Sequence, residues 1–104
     1  MADNGNCYSV NAKHLLYDVD PSDAVVYRLC HGIAINQADG EPYGHCWLEH
    51  KGIAIDKTIN VEIPVGIYYS IGKIKKVYRY TAHEVRMKLV EHEHWGAWDY
   101  DPPR

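Results

Sequence analysis

The sequence predicts an α+β domain in which two helices surround an antiparallel sheet of about four strands, and three observations predict it. Apolar residues recur at helical spacing close to the N-terminus, the middle of the chain is rich in β-branched and aromatic residues interrupted by glycine turns, and a capping-box pattern opens a second helical stretch late in the chain. A chain of 104 residues supports one hydrophobic core and not two. Residues 1–104 are therefore read as a single domain, with 97–104 a surface tail.

Tyr8, Ala12, Leu15 and Leu16 mark one face of a first helix over Cys7–Tyr17, with Asn4 and Asn6 available as caps. The run Asp18 to Asp23 ends it, because Pro21 cannot continue the hydrogen-bond ladder, and a loop is expected there. Ala24 to Ile35 is apolar at both parities and β-branched, the pattern of a buried strand. Asp39, Gly40 and Pro42 place a loop over 36–44, after which a strand starts near His45. Strands 45–50 and 53–58 flank Lys51-Gly52, where glycine takes the positive φ of a tight hairpin. Gly66 to Tyr80, with four tyrosines, reads as another strand bent at Gly72. Thr81 and Glu84 form the capping box of helix two, which runs to about His94, with Gly96 available to stop it.

Composition excludes several function classes. The chain is 46% hydrophobic and 24% charged, ordinary for a globular domain and unlike a disordered one. Its net charge is −3 and its basic residues are scattered apart from Lys73, Lys75 and Lys76, so no nucleic-acid partner is expected. No window has the apolar length of a membrane span, and the N-terminus lacks an export signal. Three cysteines, an odd number, fit reduced thiols in the cytoplasm better than a disulfide framework.

One of those thiols stands where chemistry is possible. A cysteine at a helix start faces unpaired backbone N–H groups that favour the thiolate, and Cys7 is expected there, although a lone cysteine also serves as a small buried hydrophobe. Cys30 and Cys46 take that second reading, inside apolar strands. A base with its own orienting group follows from the hairpin register. A two-residue turn puts His50 opposite Ile53, Leu48 opposite Ile55, Trp47 opposite Asp56 and His45 opposite Thr58. His45, Trp47 and Asp56 then share one face, with His45 and Asp56 diagonal neighbours at about 7–8 Å between backbones, close enough for their side chains to meet. Of the other histidines, His31 stands on the buried strand, as either a core residue or one that supports the site.

The order Asn6-Cys7-Tyr8 at a helix head, Gly44-His45-Cys46-Trp47-Leu48-Glu49 on one strand and Ala54-Ile55-Asp56-Lys57-Thr58 on the next resembles the papain-like superfamily in its compact bacterial and phage forms, including the transglutaminase-like and NlpC/P60 branches. The likeness spans residues 5–58. It implies that Cys7 is the nucleophile, His45 the general base and acid, and Asp56 the group that fixes the imidazole, in a thiol-dependent hydrolase or acyltransferase needing no cofactor and no metal. Helix one should then pack on the sheet face that carries His45. The family's glutamine before the cysteine is missing, so the Cys7 N–H with Asn4 or Asn6 is expected to form the oxyanion site, and Trp47 to contact substrate. The substrate class is a peptide, amide or protein.

Two other readings compete. A binding module using the same fold would present Tyr43, Trp47, Trp95, Trp98 and Tyr100 as an interaction surface. A metal site built from Cys30-His31 and His45-Cys46, with His92 and His94, is opposed by strand alternation, which sends adjacent side chains to opposite faces.

Overall fold

The computed structural model describes residues 6–103 and contains a five-stranded antiparallel sheet in the order β4-β3-β2-β1-β5. Helix α1 (Asn6–Lys13) continues into a π-helical turn (His14–Asp18) and puts Tyr8, Ala12 and Leu15, spaced four and three apart, into the core. The expected loop after it contains a one-turn helix, α2 (Pro21–Ala24): Asp20 caps it by accepting from the Ser22 N–H at 2.9 Å, and Pro21 starts it. That turn uses up the first residues expected in strand β1, which runs Tyr27–Ile35.

Strands β2 (Pro42–His50) and β3 (Ile53–Asp56) pair in the expected register, with His50 opposite Ile53 and Leu48 opposite Ile55. Lys51 and Gly52 both have positive φ, 51° and 78°, the backbone that lets a two-residue turn follow the strand twist. The ladder ends at Leu48 and Ile55, however, and on its other edge β3 pairs along its whole length with β4 (Val61–Pro64), a strand too short to announce itself in the sequence.

The stretch expected as one bent strand is two elements. Helix α3 (Val65–Gly72) starts straight after Pro64, buries Tyr68 and stops where Lys73 turns left-handed; β5 (Lys75–Tyr80) then joins the free edge of β1. Tyrosine-rich sequence favours strand, but here the Tyr68 and Tyr69 hydroxyls reach acceptors on the sheet, and that tertiary anchoring overrides propensity. Helix α4 (Ala82–His92) has the expected capping box: Thr81 Oγ1 accepts from the Glu84 N–H at 3.1 Å and Glu84 Oε1 from the Thr81 N–H at 2.8 Å. It stops at a left-handed Glu93 rather than at Gly96.

Two apolar clusters lie on opposite faces of the sheet. Tyr8, Ala12, Leu15, Leu29, Cys46, Leu48, Tyr80 and Val85 form one with α1 and α4. Cys30, Trp47, Ala54 and Tyr68 form the other with α3. Gly32 is glycine because any Cβ there would come 2.9 Å from the Trp47 ring. Residues 97–103 do not form a loose surface tail: Trp98 is buried in the first cluster, the Tyr100 hydroxyl donates to the Gly32 carbonyl at 2.7 Å, and Pro102 packs over Gly44. Among the described residues no helix is long and apolar enough to cross a membrane.

Candidate active site

His45 and Asp56 come together at the place where β2 and β3 separate. His45 Nε2 is 3.2 Å from Asp56 Oδ2 and 2.7 Å from the Tyr68 hydroxyl, which itself donates to Asp56 Oδ2 at 3.0 Å. These three contacts favour one arrangement of the protons. Because the Tyr68 O–H is given to Asp56, its oxygen is left to accept, so His45 carries its proton on Nε2 and Nδ1 remains the basic nitrogen. Thr58 completes the carboxylate's shell, with its backbone N–H at 3.1 Å and its hydroxyl both donating to Oδ1. Burial alone would raise the Asp56 pKa. The hydrogen bonds from His45 and Thr58, and the charge that His45 carries once protonated, outweigh it and bring the group down to about 2.

Cys7 approaches from the other face. Contrary to the expected packing, α1 lies on the side of Cys46 and Leu48, while His45, Trp47 and Asp56 point toward α3. Beyond Leu48 and Ile55 the two strands are no longer paired, and at the gap this leaves Cys7 comes within electrostatic reach of Asp56. Cys46 presents both of its backbone groups to α1 there, the N–H toward the Cys7 sulfur and the carbonyl to the Asn11 amide at 3.1 Å. Asn11 is fully buried and pins the gap: Nδ2 also donates to the Cys7 carbonyl at 2.9 Å, and Oδ1 accepts from the Lys57 N–H at 2.9 Å. It thereby substitutes for the strand pairing that stops at Ile55.

The thiol itself differs from expectation. Burial pushes the Cys7 pKa up to about 11, and the Asp56 carboxylate adds to the rise, although N–H groups of Cys46, Cys7 and Tyr8 favour the thiolate. At pH 7 the resting sulfur is a thiol, and ionising it needs a base. Cys30 and Cys46 are fully buried, as expected, and their pKa values are also raised by burial. Asn4 lies outside the described residues, as does the side chain of Asn6.

Trp47, expected to touch substrate, is fully buried and donates from Nε1 to Glu49 Oε2 at 3.0 Å. Its ring lies 5.7 Å from that of His45, so it backs the imidazole instead. Asn11 and Tyr68 are the site residues that sequence reasoning missed. For Asn11 a signal existed, a polar residue four positions after Cys7 on the apolar face of α1. Tyr68 gave none, because it reaches the pair only once residues 65–72 are helical. Among the described residues no group of three His, Cys, Asp or Glu side chains is arranged to hold a metal ion.

Beside the pair, on the α3 face, opens a cavity of about 610 Å³. His45, Asp56, Tyr43 and Tyr68 stand along its wall, five isoleucines and Val61 make up most of the rest, and Cys7 is not among the residues that line it. No protein-family model, no curated protein and no solved structure matches the chain. Functional assignment therefore starts from the chemistry of these residues.

Proposed function

We propose that the protein is a thiol-dependent hydrolase or acyltransferase of the papain-like kind, acting on a peptide, amide or protein carbonyl in the cytoplasm, with Cys7, His45 and Asp56 as its reacting set. The observation that carries this reading is the contact at 3.2 Å between His45 and the buried Asp56, with Tyr68 favouring the tautomer that leaves Nδ1 basic. A buried carboxylate bonded to one ring nitrogen is what a general-base histidine requires, since it orients the ring and stabilises the imidazolium that forms.

In this mechanism Nδ1 takes the proton of the Cys7 thiol as the sulfur attacks the carbonyl carbon. A tetrahedral oxyanion forms, the bond to the leaving nitrogen or sulfur breaks, and the imidazolium returns the proton to the leaving group. Water or an amine, deprotonated by the same imidazole, then attacks the thioester, and the acyl group leaves as acid or amide while the thiol is restored. The N–H groups of Cys46 and Tyr8, already directed at the sulfur, are the donors closest to the developing charge. Three free cysteines and a pI near 6.1 suit a reducing, cytoplasmic setting. Nothing in the charge distribution favours nucleic acid or a membrane surface.

Peptide mapping after incubation with a neutral acyl thioester tests the proposal. An acyl adduct on Cys7 is expected, lost in Cys7→Ala and formed at least about 100-fold more slowly in His45→Ala. An adduct shared among the three cysteines, or one indifferent to His45, overturns it. The burial of Cys7, only 8% exposed, with its raised pKa, favours a second reading in which the same fold binds a partner without turnover. Under that reading Cys7→Ala keeps the biological effect.

A further inference from the structure

The cavity beside His45 combines polar and apolar lining: His45, Asp56, Thr58 and Tyr68, with Asn36 and Gln37 from the β1–β2 loop, stand among Ala34 and five isoleucines. Among the described residues Asp56 is the only acidic side chain that lines it, and no lysine or arginine does; Lys73 borders an adjoining depression instead. An anionic ligand would therefore meet a carboxylate with no cation to offset it. At the rim Gln37 donates to the Ile71 carbonyl at 2.6 Å and links the β1–β2 loop to the end of α3. Ile59 and Ile71 stand at the mouth, 63% and 54% exposed, and leave apolar surface in water that a ligand would cover. A volume of about 610 Å³ is in the range of small-molecule sites and exceeds what one methyl-sized group needs.

We infer that this cavity takes the uncharged aliphatic chain of the acyl group, carbonyl at His45 and chain against the isoleucines, so that the substrates are neutral aliphatic acyl amides or thioesters. The inference rests on the thiol reading for the chemistry but on the cavity alone for the binding.

Binding is measured in Cys7→Ala, where no turnover occurs, by following backbone amide NMR shifts on titration with acetamide, butanamide, hexanamide, octanamide and, as the anionic counterpart, octanoate. Affinity should rise about fourfold per added methylene until the cavity is filled. The shifts should centre on Ala34, His45, Ile63 and Ile71, and octanoate should bind more weakly than octanamide. Ile71→Glu, at the exposed mouth where folding does not depend on it, should flatten the chain-length dependence, while Val90→Glu on α4 should not. No chain-length dependence, equal binding of the anion, or shifts gathered on the α4 face overturns the inference. Failure of the thiol reading looks different: the amides still bind by length, but no thioester acylates Cys7. Acylation of Cys7 without regard to chain length leaves the thiol reading standing and removes this one.

Discussion

Replacing His31 should abolish most of the loss of stability between pH 6.5 and 4.5. His31 is fully buried between the rings of Tyr8, Tyr80 and Trp98, with centroids 4.8, 5.0 and 4.9 Å away, and neither ring nitrogen has a hydrogen-bond partner among the described residues. Burial lowers its pKa from 6.5 to about 3; Asp99 pulls weakly the other way. A histidine whose folded pKa is depressed is protonated first in the unfolded chain. Its effect on stability is therefore absent above pH 6.5 and grows as pH falls from 6.5 toward about 3, at about 1.4 kcal/mol per pH unit. Between pH 6.5 and 4.5 the protein should lose about 3 kcal/mol through this group alone. His31→Leu conserves volume, removes two orphaned polar atoms and gives up the ring contacts, so at pH 7 it should be close to wild type. Urea unfolding of both proteins at pH 7, 5.5 and 4.5 reads the difference. Wild type should fall steeply and the variant should fall by about 3 kcal/mol less. Parallel stability curves would refute the claim that the buried imidazole is neutral and unpartnered.

Three further outcomes follow from particular contacts. Asn11→Ala leaves the Cys46 carbonyl and the Lys57 N–H without their partner in a buried gap, and should cost about 2–4 kcal/mol in chemical denaturation; a loss under about 0.5 kcal/mol would mean the gap is held by something else. Trp98→Ala should cost about 3–5 kcal/mol in the same assay, where a residue of a loose tail would show almost nothing. Tyr68→Phe removes one donor from Asp56, so its carboxyl pKa should move up from about 2 toward 3.8 in a carbon-detected NMR titration; an unchanged value would show that the hydroxyl does not serve Asp56.

The hairpin was legible because its evidence is local. A two-residue turn with glycine at its second position sets the register, and the register puts His45 and Asp56 on one face before any tertiary contact is considered. The capping box at Thr81 was legible for the same reason. What the sequence concealed depends on distant contacts. Residues 65–72 carry strand-forming tyrosines and become helical because Pro64 opens the turn and two hydroxyls find acceptors on the sheet. The face on which α1 packs cannot be deduced from its own apolar stripe, since both faces of β2 are apolar: Cys46 and Leu48 on one, Trp47 on the other. The same ambiguity hid the elevated Cys7 pKa. A helix start argues for a thiolate, whereas the degree of burial, which decides the sign here, exists only in the folded chain.

The central claim is that His45 activates Cys7, and the most direct measurement is the pH dependence of Cys7 alkylation by iodoacetamide, resolved by peptide mapping, in wild type and His45→Ala. With a thiol pKa of about 11, on the order of one sulfur in ten thousand is ionised at pH 7 without help. The account predicts that at pH 7 Cys7 is alkylated markedly faster in wild type than in His45→Ala, and that Cys30 and Cys46 show no such dependence on His45. Superimposable profiles for the two proteins would contradict it.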